Sequence, residues 1–197
     1  MLWPLNLVVE RDDRLSDAEF FDFCQLNPKL RIERDETGQI FLDMPTGTVQ
    51  THNCVSVRNA DLIAEVVFWN RRKKAGVVTD SNGGFTLPDT SVRAPDVAWT
   101  SNERWTALLP EEQDKFAPVC PDFVIELVSE SDNLPPLRKK MEKYLENGVR
   151  LAWLIDAGKH ETTVYRPDAL LQTVPFTDEL SGYDVLPEFA VTLSKLF

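Results

Sequence analysis

The sequence predicts an α/β (α+β) fold, one mixed β-sheet flanked by helices in a single domain over residues 1–197. Three observations predict it. The run FVIELV (123–128) is followed by a helix-patterned stretch, LPPLRKKMEKYLENG (134–148), and then by VRLAWLID (149–156). Strand, helix, strand in that order joins two parallel strands by a right-handed crossover. Both strands are apolar almost throughout, as expected where both faces of a sheet are covered. Hairpin patterns and a long helix precede this unit, and further strands follow it.

The elements are justified in chain order. LSDAEFFDFCQLNP (15–28) opens on a serine cap, carries apolar residues at helical spacing and stops before Pro28. LRIER and QIFLDM, on either side of Thr37-Gly38, form a hairpin. From about Val49 to Lys74 the pattern is helical, with Val55, Ile63, Val66 and Val67 on one stripe. Arg71-Arg72-Lys73-Lys74 suits the last turn of a helix dipole, and Gly76 lies just beyond. Short strands follow as GVVTD, GFTLP after the Asn82-Gly83-Gly84 turn, and VRAPDVAWT. The polar, proline-bounded SNERWTALLPEEQDKFAP holds one or two short helices. After the strand–helix–strand unit come a turn at Gly158, ETTVYRP and a tail ending LPEFAVTLSKLF. No repeat or break in composition marks a second domain.

Charge and cysteine usage narrow the function classes. The net charge is −11 and the isoelectric point about 4.7, which counts against broad, non-specific nucleic-acid binding. It leaves open an enzyme whose acids hold metal ions while basic residues cluster elsewhere. Cys24, Cys54 and Cys120 are scattered, and His52 and His160 are the only histidines, so neither a zinc site nor a disulfide framework is expected. The N-terminus does not read as a signal peptide, and no apolar run approaches the ~18 residues of a membrane span. The expectation is a soluble, cytoplasmic protein.

The chemistry begins with an acid in an apolar strand. Glu126 interrupts FVIELV, and alternation puts it on the face of Val124 and Val128. A buried carboxylate is costly unless it is paired or bound to metal. In the following helix Leu137, Met141, Tyr144 and Leu145 make the apolar stripe. At ~100° per residue Lys140 falls on its shoulder, while Lys139 and Lys143 point away from it. Asp96 follows Pro95 at the start of another strand, on the side of Ala98. Two carboxylates and a lysine are a set that binds Mg²⁺, activates a water and holds a phosphate.

The order PDV at 95–97, IELVSES at 125–131, Lys140 and Tyr144 at K-x-x-x-Y spacing, ENGV at 146–149 and AWLID at 152–156 resembles the PD-(D/E)XK nuclease superfamily. Within it, the chain is similar to the Uma-two family, bacterial proteins assigned as restriction endonucleases. The resemblance runs from IERDETGQIFLDMPTG to the final LPEFAVTLSKLF. It implies a restriction-endonuclease-like fold and a Mg²⁺-dependent endonuclease (Mn²⁺ serving as well) that cuts DNA, commonly as a homodimer. Asp96 and Glu126 would be its metal ligands and, with Lys140, its catalytic residues. The superfamily lysine position, two after Glu126, is Val128; the family takes its lysine from the next helix, and Lys140 matches there. A different class, a catalytically inactive nuclease-fold module for nucleic-acid binding or assembly, is motivated by the acidic charge. A hydrolase of another phosphate ester is a third reading.

The remaining polar residues have plainer expected roles. Glu126 alone could be a structural ion-pair partner of Arg93 or Lys140, and Lys140 alone could snorkel over apolar surface. His52 reads as a core or capping histidine; Glu33 and Glu65 are candidate extra acids that read as solvated or structural. Ser129, without a GxSxG setting, caps a loop. The basic run at 71–74 is a solvated helix end, and Asn82-Gly83-Gly84 is a turn rather than a phosphate cradle.

Overall fold

The computed structural model describes residues 14–28, 30–43, 52–129 and 132–197, with backbone alone described at 43 and 52–54. In chain order the elements are α1 (Asp17–Leu26), β1 (Arg31–Arg34), β2 (Ile40–Asp43), α2 (His52–Lys73), β3 (Gly76–Asp80), β4 (Phe85–Thr86), β5 (Val92–Arg93) and β6 (Val97–Ser101). Then come α3 (Asn102–Trp105), α4 (Pro110–Gln113), β7 (Phe123–Val128), α5 (Leu134–Glu146), β8 (Leu151–Asp156) and β9 (Glu161–Tyr165). The chain ends with β10 (Gln172–Pro175), β11 (Glu179–Ser181), β12 (Ala190–Thr192) and a short 3₁₀ turn at Leu193–Lys195.

A six-stranded sheet ordered β10-β9-β8-β7-β6-β3 forms the centre. Within it β7 and β8 are parallel, joined by α5 as the strand–helix–strand order requires, and the other pairs are antiparallel. A second sheet, ordered β2-β1-β5-β4, lies apart from it, and β11 pairs with β12. The expected mixed sheet with helices on its faces is therefore found.

Alternation along β7 divides its side chains between two cores. Phe123, Ile125 and Leu127 pack with Val97, Trp99 and Trp153 under Leu62, Val66 and Trp69 of α2. Val124 packs with Ala98, Ala152 and Leu154 under Met141 and Tyr144 of α5. Each sheet face thus carries a helix, which explains why β7 and β8 are apolar throughout. Of the expected α2 stripe, Val66 is core, Val55 and Ile63 pack partly buried against it, and Leu62 and Trp69 complete it. The expected start of that helix, 49–51, lies outside the described residues.

The local signals act as expected at several places. Ser16 caps α1, its hydroxyl accepting from Glu19 N–H while the Glu19 carboxylate accepts from Ser16 N–H at 2.9 Å. In the β1–β2 turn the Asp35 carboxylate accepts from the Thr37 and Gln39 N–H groups, both at 2.9 Å. Helix α5 stops at Gly148, whose φ of 105° suits glycine; Val149 N–H donates to Tyr144 C=O at 3.0 Å, a Schellman closure.

One expected strand is interrupted. VRAPDVAWT is two strands, β5 in the smaller sheet and β6 in the larger, separated by Ala94-Pro95-Asp96. Proline has no N–H to give a ladder and cannot continue a paired strand. The chain changes sheets at this proline, and Asp96 is the first residue past it. GFTLP likewise shortens to Phe85–Thr86.

Candidate functional site

The change of sheet at 94–96 determines what surrounds Asp96. Strand β6 pairs with β7 in the register Val97↔Ile125, Ala98↔Val124. Continued by one step, this register sets Asp96 opposite Glu126. From the other side, β5 pairs with β1 at Arg34↔Val92, which brings the hairpin alongside the same junction. Alternation on β1 turns Ile32 and Arg34 inward, toward α1 and its Phe20, and puts Arg31 and Glu33 together on the opposite face.

Six charged side chains meet there. Lys140 Nζ, from α5, lies 2.7 Å from Glu126 Oε1 and 2.8 Å from Glu33 Oε1. Tyr144, one turn further along α5, donates its hydroxyl to Glu126 Oε1 at 2.8 Å. Arg31 Nη1 lies 2.9 Å from Asp96 Oδ1, and its Nη2 donates to the Ala94 carbonyl. Asp96 Oδ2 accepts from the Leu127 N–H at 2.8 Å. Glu33 Oε1 also accepts from Ala94 N–H at 2.9 Å, and Arg93 lies 3.5 Å from Glu33 Oε2. Three carboxylates (Glu33, Asp96, Glu126) thus face three cations (Arg31, Arg93, Lys140).

Burial and charge set the protonation of the group. Glu126 is 4% exposed, and burial first, then the nearby carboxylates of Asp96 and Glu33, push its pKa up to about 7 against the pull of Lys140 and Arg31. Glu33 is displaced the other way. Burial acts to raise it, but Lys140, Arg93 and Arg31 outweigh this and hold it at about 2. Burial acts to lower Lys140, yet Glu126 and Glu33 together raise it above the ordinary lysine value. The Tyr144 phenol is driven well above its usual value, first by burial and then by the Glu126 charge. It therefore stays a hydrogen-bond donor.

The structure brings the three expected site residues, Asp96, Glu126 and Lys140, into one cluster, with Lys140 on the seam between α5 and the sheet. It also adds further members. Glu33, expected to be solvated or structural, shares the lysine with Glu126. Arg93, a candidate partner for Glu126, reaches Glu33 instead. Lys143, expected to point away, reaches the rim, 3.3 Å from Glu36 and 2.9 Å from Glu146. The polar pair Arg31 and Glu33, at i and i+2 around the apolar Ile32, was the signal. It names a face but not what the face meets. The His52 side chain lies outside the described residues.

Metal fit follows from the donors. Among the described residues no group of three or more His, Cys, Asp or Glu side chains could hold an ion. A pair of hard carboxylates, Asp96 and Glu126, is nevertheless what Mg²⁺ commonly takes from a protein, the rest of its shell being water and substrate phosphate.

Comparison with known proteins agrees with this fold. The Uma2 family, described as "Putative restriction endonuclease", matches residues 17–194. A crystal structure from Anabaena variabilis ATCC 29413, described as a "putative nuclease belonging to DUF820", superposes with a TM-score of 0.69 at 20% identity, covering 84% of this chain and 89% of that one. At that identity the likeness speaks for the fold. No curated protein matches. Among the described residues no helix is long and apolar enough to cross a membrane.

Proposed function

This chain belongs to the Uma2 family, and we propose that it is a metal-dependent endonuclease that hydrolyses DNA phosphodiester bonds. The observation that carries the reading is the meeting of Asp96, Glu126 and Lys140. Continued by one step, the β6–β7 register sets residues 96 and 126 opposite each other, and Lys140 Nζ lies 2.7 Å from Glu126 Oε1. Asp96 and Glu126 would hold Mg²⁺ or Mn²⁺. When bound, the ion lowers the pKa of a water and offsets charge that builds on the phosphoryl oxygens.

The chain's own residues do the rest. Lys140 has three N–H donors, of which Glu126 and Glu33 accept two. The third is available for a non-bridging phosphate oxygen or for the attacking water. Tyr144 holds Glu126 in place from behind the cluster. Water oxygen bonds to phosphorus, one ester P–O bond breaks, and the departing sugar oxygen leaves with a proton. Two copies would cut the two strands of a duplex, so the active form in this proposal is a homodimer.

A second reading rests on the charge of −11 and on the pairing of every carboxylate in the cluster with a cation: a nuclease-fold module that binds nucleic acid or a partner without cutting. Plasmid DNA with Mg²⁺ or Mn²⁺ separates the two. The nuclease reading expects nicking or linearisation by the wild type and none by Asp96→Ala or Glu126→Ala. Cleavage undiminished in both variants removes the site assignment, and DNA binding without cleavage by the wild type favours the module.

A further inference from the structure

We infer that Arg31 is a placeholder cation, holding Asp96 until a phosphate group draws its guanidinium away, so that divalent-ion binding and phosphate binding are coupled. The inference rests on Asp96 being a metal ligand and goes beyond it to the control of that site. Three observations single Arg31 out among the cluster's cations.

The first is access. The Arg31 side chain is 29% exposed, against 14% for Lys140 and 9% for Arg93. It is the cation that an incoming anion reaches. The second is bonding. Lys140 is shared between two carboxylates, and Arg93 lies near both Glu33 and Glu36. Among the described residues Arg31 forms an ion pair with Asp96 alone. Of the five N–H donors of a guanidinium, two go to Asp96 and the Ala94 carbonyl. The other three have no protein acceptor among the described residues. Such a planar fork matches the oxygens of a phosphate in a way that an ammonium does not.

The third is position. Arg31 lies against Oδ1 of the carboxylate whose Oδ2 is taken by Leu127 N–H. A divalent ion approaching Asp96 therefore meets a cation already in contact with the same group. Two cations at one carboxylate weaken each other's binding. An anion that takes up the guanidinium removes the competition, and by linkage the ion then favours the anion to the same degree.

The experiment is calorimetric titration of Mn²⁺ into the wild type, Arg31→Met, Arg31→Lys and Asp96→Asn. Each is run in chloride and, at matched ionic strength, in sulfate, a tetrahedral anion standing for the phosphate. Arg31→Met should bind Mn²⁺ about tenfold more tightly than the wild type in chloride, and sulfate should leave it unchanged. Sulfate should tighten Mn²⁺ binding to the wild type about fivefold, at the lower end of typical couplings. Arg31→Lys keeps the charge and should stay weak. If Arg31→Met fails to fold, the sulfate effect on the wild type still decides the matter. Equal or weaker Mn²⁺ binding by folded Arg31→Met overturns the inference, as does a wild type indifferent to sulfate or a complete lack of binding by both. Asp96→Asn separates this from the site assignment: if it binds Mn²⁺ as the wild type does, the metal site itself is misplaced.

Discussion

Lys140 and Glu33 meet at 2.8 Å across 107 residues of chain, one from the crossover helix and the other from the first hairpin. The contact ties the smaller sheet to α5 and fixes the amine between two acids. Glu33 in turn is fixed by a backbone N–H and by Arg93. Glu33→Gln keeps the shape but leaves Lys140 and Arg93 with one buried negative partner fewer. Breaking a buried pair in this way costs roughly 3–5 kcal/mol. Urea denaturation at pH 7 should show a loss of that order, and Glu33→Asp should recover part of it.

Stability against pH should pass through a maximum. Glu33, held at about 2 in the fold, adds stability above its ordinary value of 4.5 and loses it as the pH falls toward 2. Glu126 acts in the opposite sense. Its folded value of about 7 lies above its ordinary value of 4.5, so the folded state binds the extra proton between those values, and stability declines as pH rises through them. Thermal melting across pH 3–8 should therefore peak near pH ~4.5 to 5. Glu126→Gln should abolish the decline on the alkaline side and leave the acid side intact.

The same shift predicts how metal binding depends on pH. A carboxylate must be ionised to hold a cation, and Glu126 ionises around 7. Mn²⁺ affinity should rise by about eightfold from pH 6 to pH 7.5, a little under one unit of linked titration. Calorimetry at the two values checks it, and an affinity independent of pH would place the ion away from Glu126.

Tyr144 gives a local test. Its hydroxyl donates to Glu126 Oε1 at 2.8 Å in a fully buried setting, and Tyr144→Phe removes that bond alone. Hydrogen bonds to charged groups contribute about 1.5–3 kcal/mol. Chemical denaturation should show a loss in that range at pH 8, where Glu126 is ionised. A near-zero effect would mean that the phenol is a bystander.

Much of this architecture was legible because periodicity and burial coincide. The alternation of β7, the apolar stripe of α5 and the order of strand, helix, strand give the parallel β7–β8 pair, and they place Glu126 and Lys140 on facing elements. Glu33 was not legible in the same way. Its contacts are long-range, and a hairpin residue with polar neighbours looks alike whether it faces water or a buried lysine. The sheet change was half legible: Pro95 marked the start of a strand, but only the pairing of β5 with β1 shows that Arg31 is delivered to Asp96 there. The reach of Lys143 to Glu36 was not legible for a related reason, since Glu36 lies on the hairpin and not on its own helix.

The central claim is that Asp96 and Glu126 together hold a divalent ion beside Lys140. Calorimetric titration of Mg²⁺ or Mn²⁺ at pH 8 into the wild type and Glu126→Ala tests it most directly. Saturable binding by the wild type that disappears in Glu126→Ala is the predicted result. Equal affinity in the two proteins, or no binding to the wild type at millimolar metal, would contradict it.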